Sequence, residues 1–180
     1  LNDPLALSED ELSCDERPYA FRRTLNEVSY VDRRGFSWTA PAGVLTDGAS
    51  IPPAFVSLVG APTSDEFRGA AAIHDAYCGF GNEESKEYQS RSWRAVHRMF
   101  YEALLIGGTP ERRAKAKYAA VMTGGPRWNE RGFDDSDGSA LANGVERPAL
   151  AGADAAELQE AFAEVLETIE RDNPGLNEID

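Results

Sequence analysis

The sequence predicts an α+β fold: a small N-terminal antiparallel sheet followed by a helical half built on an antiparallel helix pair. Three observations carry this. Short runs of β-branched and aromatic residues fill the chain from Tyr19 to Thr39. Apolar residues then recur with a period near 3.6 between Thr63 and Met122. Glycine and proline clusters at Gly79–Gly81, Gly107–Pro110 and Gly124–Pro126 cut that second stretch into helices.

In chain order, residues 1–18 are acidic and irregular, and Ser8 with Glu11 has the spacing of a capping box around one short helical turn. Ala20–Leu25 and Val28–Val31 read as strands, Asp32–Gly35 as a turn, and Phe36–Thr39 as the returning strand. Thr46-Asp47-Gly48-Ala49-Ser50-Ile51-Pro52-Pro53 follows. Its Asp-Gly turn, paired prolines and two side chains able to cap backbone amides predict a rigid polar loop. Ala54–Val59 reads as a short apolar helix stopped by Gly60 and Pro62.

Thr63-Ser64-Asp65-Glu66 has capping-box spacing and predicts the start of a longer helix. Phe67, Ala70, Ala71, His74, Tyr77 and Cys78 form its apolar stripe, so His74 faces inward and Asp75 lies about 100° around the axis. A second helix runs from about Ser90 to Ile106, with Trp93, Val96, His97, Phe100 and Leu104 on one face. Consecutive helices joined by a short loop usually pack antiparallel, an arrangement that allows His74 and His97 similar depth while leaving their distance open. Glu111–Met122 is a third helix with Tyr118 and Val121 inward. Arg112, Arg113, Lys115 and Lys117 are read as its solvated face.

Residues 129–153 read as an acidic flexible linker. Asp134-Asp135-Ser136-Asp137-Gly138 fails as a calcium loop because its glycine is misplaced. Asp154 and Glu157 then cap a helix over residues 154–171. Its Leu158, Phe162, Val165 and Ile169 form a seam that docks on the body, pairs with a second copy or binds a partner helix. The organisation expected is one domain over 1–128, the linker, and this terminal amphipathic helix.

Composition narrows the function. With 31 acidic against 18 basic residues the net charge is −13, and the sequence pI is about 4.6. That argues against nucleic acid as a partner, because phosphate recognition rests on clustered Lys and Arg. No apolar run reaches the roughly 20 residues of a membrane-spanning helix. Cys14 and Cys78 fit either a disulfide or two thiols. No phosphate-binding loop or dinucleotide fingerprint is present.

Both histidines of the chain lie between the Asp47 loop and Phe100, and three chemistries suit them. In one, His74 is a general base activating water, with Asp75, His97 and Asp47 in support. In another, His74, His97 and a carboxylate, Asp75 or Asp47, ligate a divalent metal, zinc or calcium. In the third both rings are packing residues whose nitrogens find internal partners. Cys78 is one helical turn beyond His74, but its type favours burial over catalysis.

The motifs together resemble the domain of unknown function (DUF) 1353 family. Carrying the resemblance are Pro41-Ala42-Gly43, Thr46 to Pro52, Ala71-Ala72-Ile73-His74-Asp75 with Tyr77, Arg94–Leu104, and Gly125-Pro126-Arg127-Trp128. It implies a protein of bacteriophages and prophage-bearing bacteria, with no settled activity, cytoplasmic or associated with a phage particle. The family pattern carries aspartate where this chain has His97, which weakens a base-and-carboxylate scheme and favours metal ligation or packing. The His-Asp helix is also similar to the core of secreted phospholipases A2, where the histidine is the base and the aspartate binds calcium. The functional expectation is thus a phage-related hydrolase acting on an unspecified substrate. The alternative is a non-catalytic accessory module working through protein contacts of the 154–171 helix.

Overall fold

Asp32 sets the geometry of the first hairpin. Its Oδ1 accepts from the backbone N–H groups of Arg34 and Phe36, both at 2.9 Å, and Gly35 supplies the positive φ of the turn. In the computed structural model, which describes residues 4–13, 19–48, 51, 53–60, 67–128 and 154–180, this turn joins β2 (Val28–Val31) to β3 (Ser37–Ala40). The two strands are antiparallel, Val28 opposite Ala40 and Tyr30 opposite Trp38, and these four side chains face the core.

The expected small antiparallel sheet is present as two ribbons. The second pairs β1 (Arg22–Arg23) with β4 (Leu45–Thr46), a strand the turn-rich sequence around Asp47 hides. The N-terminal stretch adds single bridges at Leu7–Thr24 and Leu12–Phe21. This corrects the capping box expected at Ser8 and Glu11. Ser8 Oγ instead accepts from Arg23 N at 3.0 Å, because the unpaired edge of β1 offers backbone partners that an isolated helical turn lacks.

The helices are α1 (Pro53–Val59), α2 (Arg68–Cys78), α3 (Trp93–Ile106), α4 (Glu111–Gly124), α5 (Ala155–Asp172) and a terminal turn α6 (Leu176–Ile179). Every residue of α2 from Ala70 to Cys78 is buried, because strands β2–β4 cover one side and α3 the other. The sequence stripe captured one face of a helix that is buried all round. Its alanines let both neighbours approach closely. Ser92 caps α3, its Oγ accepting from Ala95 N at 3.2 Å. The capping box at Thr63–Glu66, the 129–153 linker, the Asp134–Gly138 loop and Cys14 lie outside the described residues.

Two lysines depart from expectation. Arg112 and Arg113 are exposed, but Lys115 and Lys117 are buried. Lys117 Nζ donates to the Val59 carbonyl at 2.8 Å and lies 4.0 Å from the Phe67 ring centre. Lys115 Nζ donates to Asn173 Oδ1 at 2.7 Å and pairs with Glu111. Helix α4 is buried on a wider arc than its charge pattern suggests, because α1 and α5 both lie against it.

Helix α5 answers the question its seam posed. Asp154 caps it, accepting from Ala156 N and Glu157 N, and it packs on α1 and α4. Phe162 and Ile169 are buried, with Leu158 and Leu166 partly buried beside them, whereas Val165 is 38% exposed. The inward face therefore follows the 3.6 period of a docked helix rather than the 3.5 period of a coiled coil. Along this seam the partner is the chain's own body. No helix among the described residues is long and apolar enough to cross a membrane.

Candidate functional site: a buried histidine pair beneath a charged cleft

Helices α2 and α3 bring the two histidines into contact. His74 Nε2 and His97 Nδ1 are 3.0 Å apart, with ring centres at 5.1 Å and planes 26° from parallel. The other nitrogen of His74, Nδ1, is 3.8 Å from Asp75 Oδ1. Asp75 Oδ2 accepts from the Thr46 hydroxyl at 2.6 Å. A polar row thus runs from β4 through α2 to α3: Thr46, Asp75, His74, His97. All four are buried, both imidazoles completely.

The row is sealed by aromatic and sulfur groups. Phe100 lies 5.1 Å from the His74 ring and Trp93 stands edge-on to His97 at 5.6 Å. Cys78, the i+4 neighbour, sets Sγ 3.5 Å from His74 Nδ1, and its thiol donates to the His74 carbonyl at 3.4 Å, as expected of a packed thiol. Burial, then the neighbouring His74, holds the His97 pKa well below the ordinary histidine value. His97 is therefore a neutral ring at pH 7.

Two proton arrangements suit the contact between these rings. If His74 donates to His97, its Nδ1 lone pair faces Asp75. If His97 donates to His74, its own Nε2 keeps a lone pair facing the Pro126 carbonyl. That Nε2 has no well-aligned partner among the described residues. Space at this end is kept by Gly125, where a Cβ atom would stand 3.2 Å from Nε2 and 2.4 Å from the Val121 carbonyl oxygen. Gly125→Ala is expected to lower the unfolding free energy by roughly 1–3 kcal/mol, as overpacking of a rigid site does. Urea denaturation checks it, and an unchanged midpoint would mean the α4 terminus yields freely.

Asn82 holds the opposite end. Its amide accepts from Leu45 N at 2.9 Å and donates to the carbonyls of Leu45 at 2.8 Å and Asp75 at 3.0 Å. One side chain therefore ties β4 to the end of α2 and keeps Thr46 above Asp75. The loop sequence showed only charge here, and an asparagine between glycine and glutamate carries no signal of that role.

Of the four expected site residues, His74, Asp75 and His97 are together in the buried row. Asp47 is elsewhere, on the wall of a cleft of about 390 Å³. Thr46, Asp47 and Gly48 form one side of that cleft, Arg68 and Ala71 of α2 another, and Glu11 and Arg22 close it. Neither imidazole lines it. Arg22 Nε donates to Glu11 Oε1 at 3.2 Å. Sequence reasoning missed Arg68, Arg22, Glu11 and Tyr19, since nothing local links the N-terminal ribbon to the Asp47 turn. Among the described residues no group of three His, Cys, Asp or Glu side chains is arranged to hold a metal ion. The facing nitrogens of His74 and His97 point at each other rather than at a common centre.

The profile of the family described as "Protein of unknown function (DUF1353)" matches residues 23–121, from β1 through most of α4. The chain belongs to the DUF1353 family. Two curated relatives come from Sinorhizobium fredii (strain NBRC 101917 / NGR234). "Uncharacterized protein y4iH" is 39% identical over 102 residues, 57% of this chain and 39% of that protein. "Uncharacterized protein y4jT" is 37% identical over 114 residues, 63% of this chain and 32% of that protein. The match thus spans well under half the length of either relative. No solved structure matches the chain. The DUF1353 match includes the whole Thr46–Asp75–His74–His97 row and the Thr46, Asp47 and Arg68 side of the cleft. Glu11, Tyr19 and Arg22 of the cleft lie before it.

Proposed function

We propose that this DUF1353 domain binds a small organic molecule in the cleft above Thr46–Gly48. The ligand would present an anionic group to Arg68 and a donor group to Asp47, with the Arg22–Glu11 ion pair at the cleft's other wall. The supporting observation is the union of a cleft of about 390 Å³, lined by opposed charges, with a turn braced from below by the Asp75 carboxylate. That volume falls within the range of small-molecule sites, and fixed polar groups on partly apolar walls are what such sites use for orientation. In this reading Asp47 and Arg68 touch the ligand, Thr46 positions Asp47, and Asp75, His74 and His97 brace Thr46.

A hydrolase using His74 as general base has less support. A general base must reach the proton it takes, directly or through one water. Both rings have 0% exposure and His74 Nε2 is engaged by His97. A hydrolytic version of the proposal moves the base to Asp47, the expected site residue on the cleft wall.

Ligand-observed NMR with a panel of amino acids, hydroxy acids and simple phosphates tests the reading. At least one class should bind saturably. Arg68→Ala and Asp47→Asn should each weaken it about tenfold or more, the worth of one charge-assisted hydrogen bond. Binding that ignores both substitutions, or a panel without a binder, would sink it.

A further inference from the structure

A second surface, formed by the β2–β3 hairpin and the start of α3, has chemistry the cleft does not explain. Arg91 lies 5.1 Å from the Phe36 ring centre and 5.5 Å from that of Trp38, and Arg34 lies 5.0 Å from Phe36. These residues border a groove of about 140 Å³ that also includes Asp32 and Glu102. Arg91 is half-buried, and among the described residues its guanidinium has aromatic faces as neighbours but no carboxylate partner. In a chain with 31 acidic and 18 basic residues, such an arginine is unusual.

Of the two acidic groups at this groove, Asp32 is already engaged. Asp32 uses Oδ1 for the turn amides and Oδ2 for the Trp38 indole N–H at 2.9 Å. Burial first, and then Asp32, raises the pKa of Glu102. Arg98, the third arginine of the groove, is taken by Asn177 and Asp180. Arg91 is left as a planar cation whose rotamer is fixed by two rings. That state favours a planar anion, since a guanidinium fork matches a carboxylate and little side-chain entropy remains to be lost.

From this arrangement we infer that the groove receives a carboxylate side chain of an acidic segment on a partner protein, with Arg91 making the two-pronged contact. Size supports a peptide anchor over a free metabolite: the groove is less than half the roughly 300 Å³ at which small-molecule pockets begin. Charge distribution supports it over nucleic acid, which needs several cations along a track rather than one arginine fork.

The test titrates ¹⁵N-labelled protein with N-acetyl hexaglutamate amide, following the Trp38 indole and the Ala95 and Met99 amides. Saturable shifts at these three are expected. Arg91→Lys should weaken binding about tenfold by losing the fork, and Arg91→Ala should abolish it while amide shifts elsewhere stay unchanged. If Arg91→Ala disturbs the fold, the lysine variant carries the comparison. Absent shifts, or equal affinity in the lysine variant, would overturn the inference. So would equal or tighter binding by a six-residue oligothymidylate, or free glutamate binding as well as the peptide. Because the groove and the Asp47 cleft share no lining residue, either can fail alone.

Discussion

Replacing Phe162 with alanine lowers the unfolding free energy by about 3–5 kcal/mol, the range for a fully buried aromatic truncated in a core. Phe162 is 2% exposed, and its ring stacks on that of Phe55 at 4.2 Å between centres. Phe55 is itself fully buried in α1, a helix of seven residues too short to persist without tertiary contacts. The truncation therefore opens a cavity at the junction of α1, α4 and α5 rather than at an edge. Nearby contacts do not replace the ring, since the Gln159 side chain reaches only the Ala54 carbonyl. Urea denaturation of the full chain measures the effect. A loss below 1 kcal/mol would mean that α5 contributes little to the core.

Acidification below about pH 6.5 weakens the fold through His97, by a component of at most about 1.4 kcal/mol per pH unit until the depressed folded value is reached. The sign follows from where the proton binds. In the folded chain burial and the adjoining His74 hold the His97 pKa well below 6.5. The unfolded chain takes up that proton near 6.5, so below this pH it binds more protons than the folded chain. Stability contributed by neutral His97 is therefore complete above pH 6.5 and is lost as pH falls toward the depressed folded value. Chemical denaturation at a series of pH values reads the slope. His97→Gln should remove that component whatever it does to absolute stability. An unchanged slope in the variant, or a fold that strengthens in acid over this range, would refute the account.

Most helices are legible because their signals are local. Asp154 caps where the sequence places a cap, α3 starts within three residues of the expected Ser90, and Gly60 and Gly107 stand just after α1 and α3. The inward direction of His74 and His97 follows from the same periodicity. Three features resist such reading. Strand β4 is two residues long and its partner β1 is more than twenty positions away. Lys117 reads as surface because charge pattern records residue type, not which helices lie against it. The α5 face shifts from Val165 to Leu166 because a docked helix keeps its straight 3.6 period, whereas a heptad seam requires supercoiling.

By itself the sequence determined the α+β class, the succession of helices and the inward direction of both histidines, all of which follow from periodicity and capping over a few residues. Only the tertiary structure decided that these rings are sealed between Phe100 and Trp93, and that Asp47 opens on a separate cleft. Exposure is the reason. Whether a polar group reaches solvent depends on what distant segments cover it: the N-terminal ribbon that walls the Asp47 cleft and the Phe100 ring against His74 both come from outside the local sequence of the residue they meet.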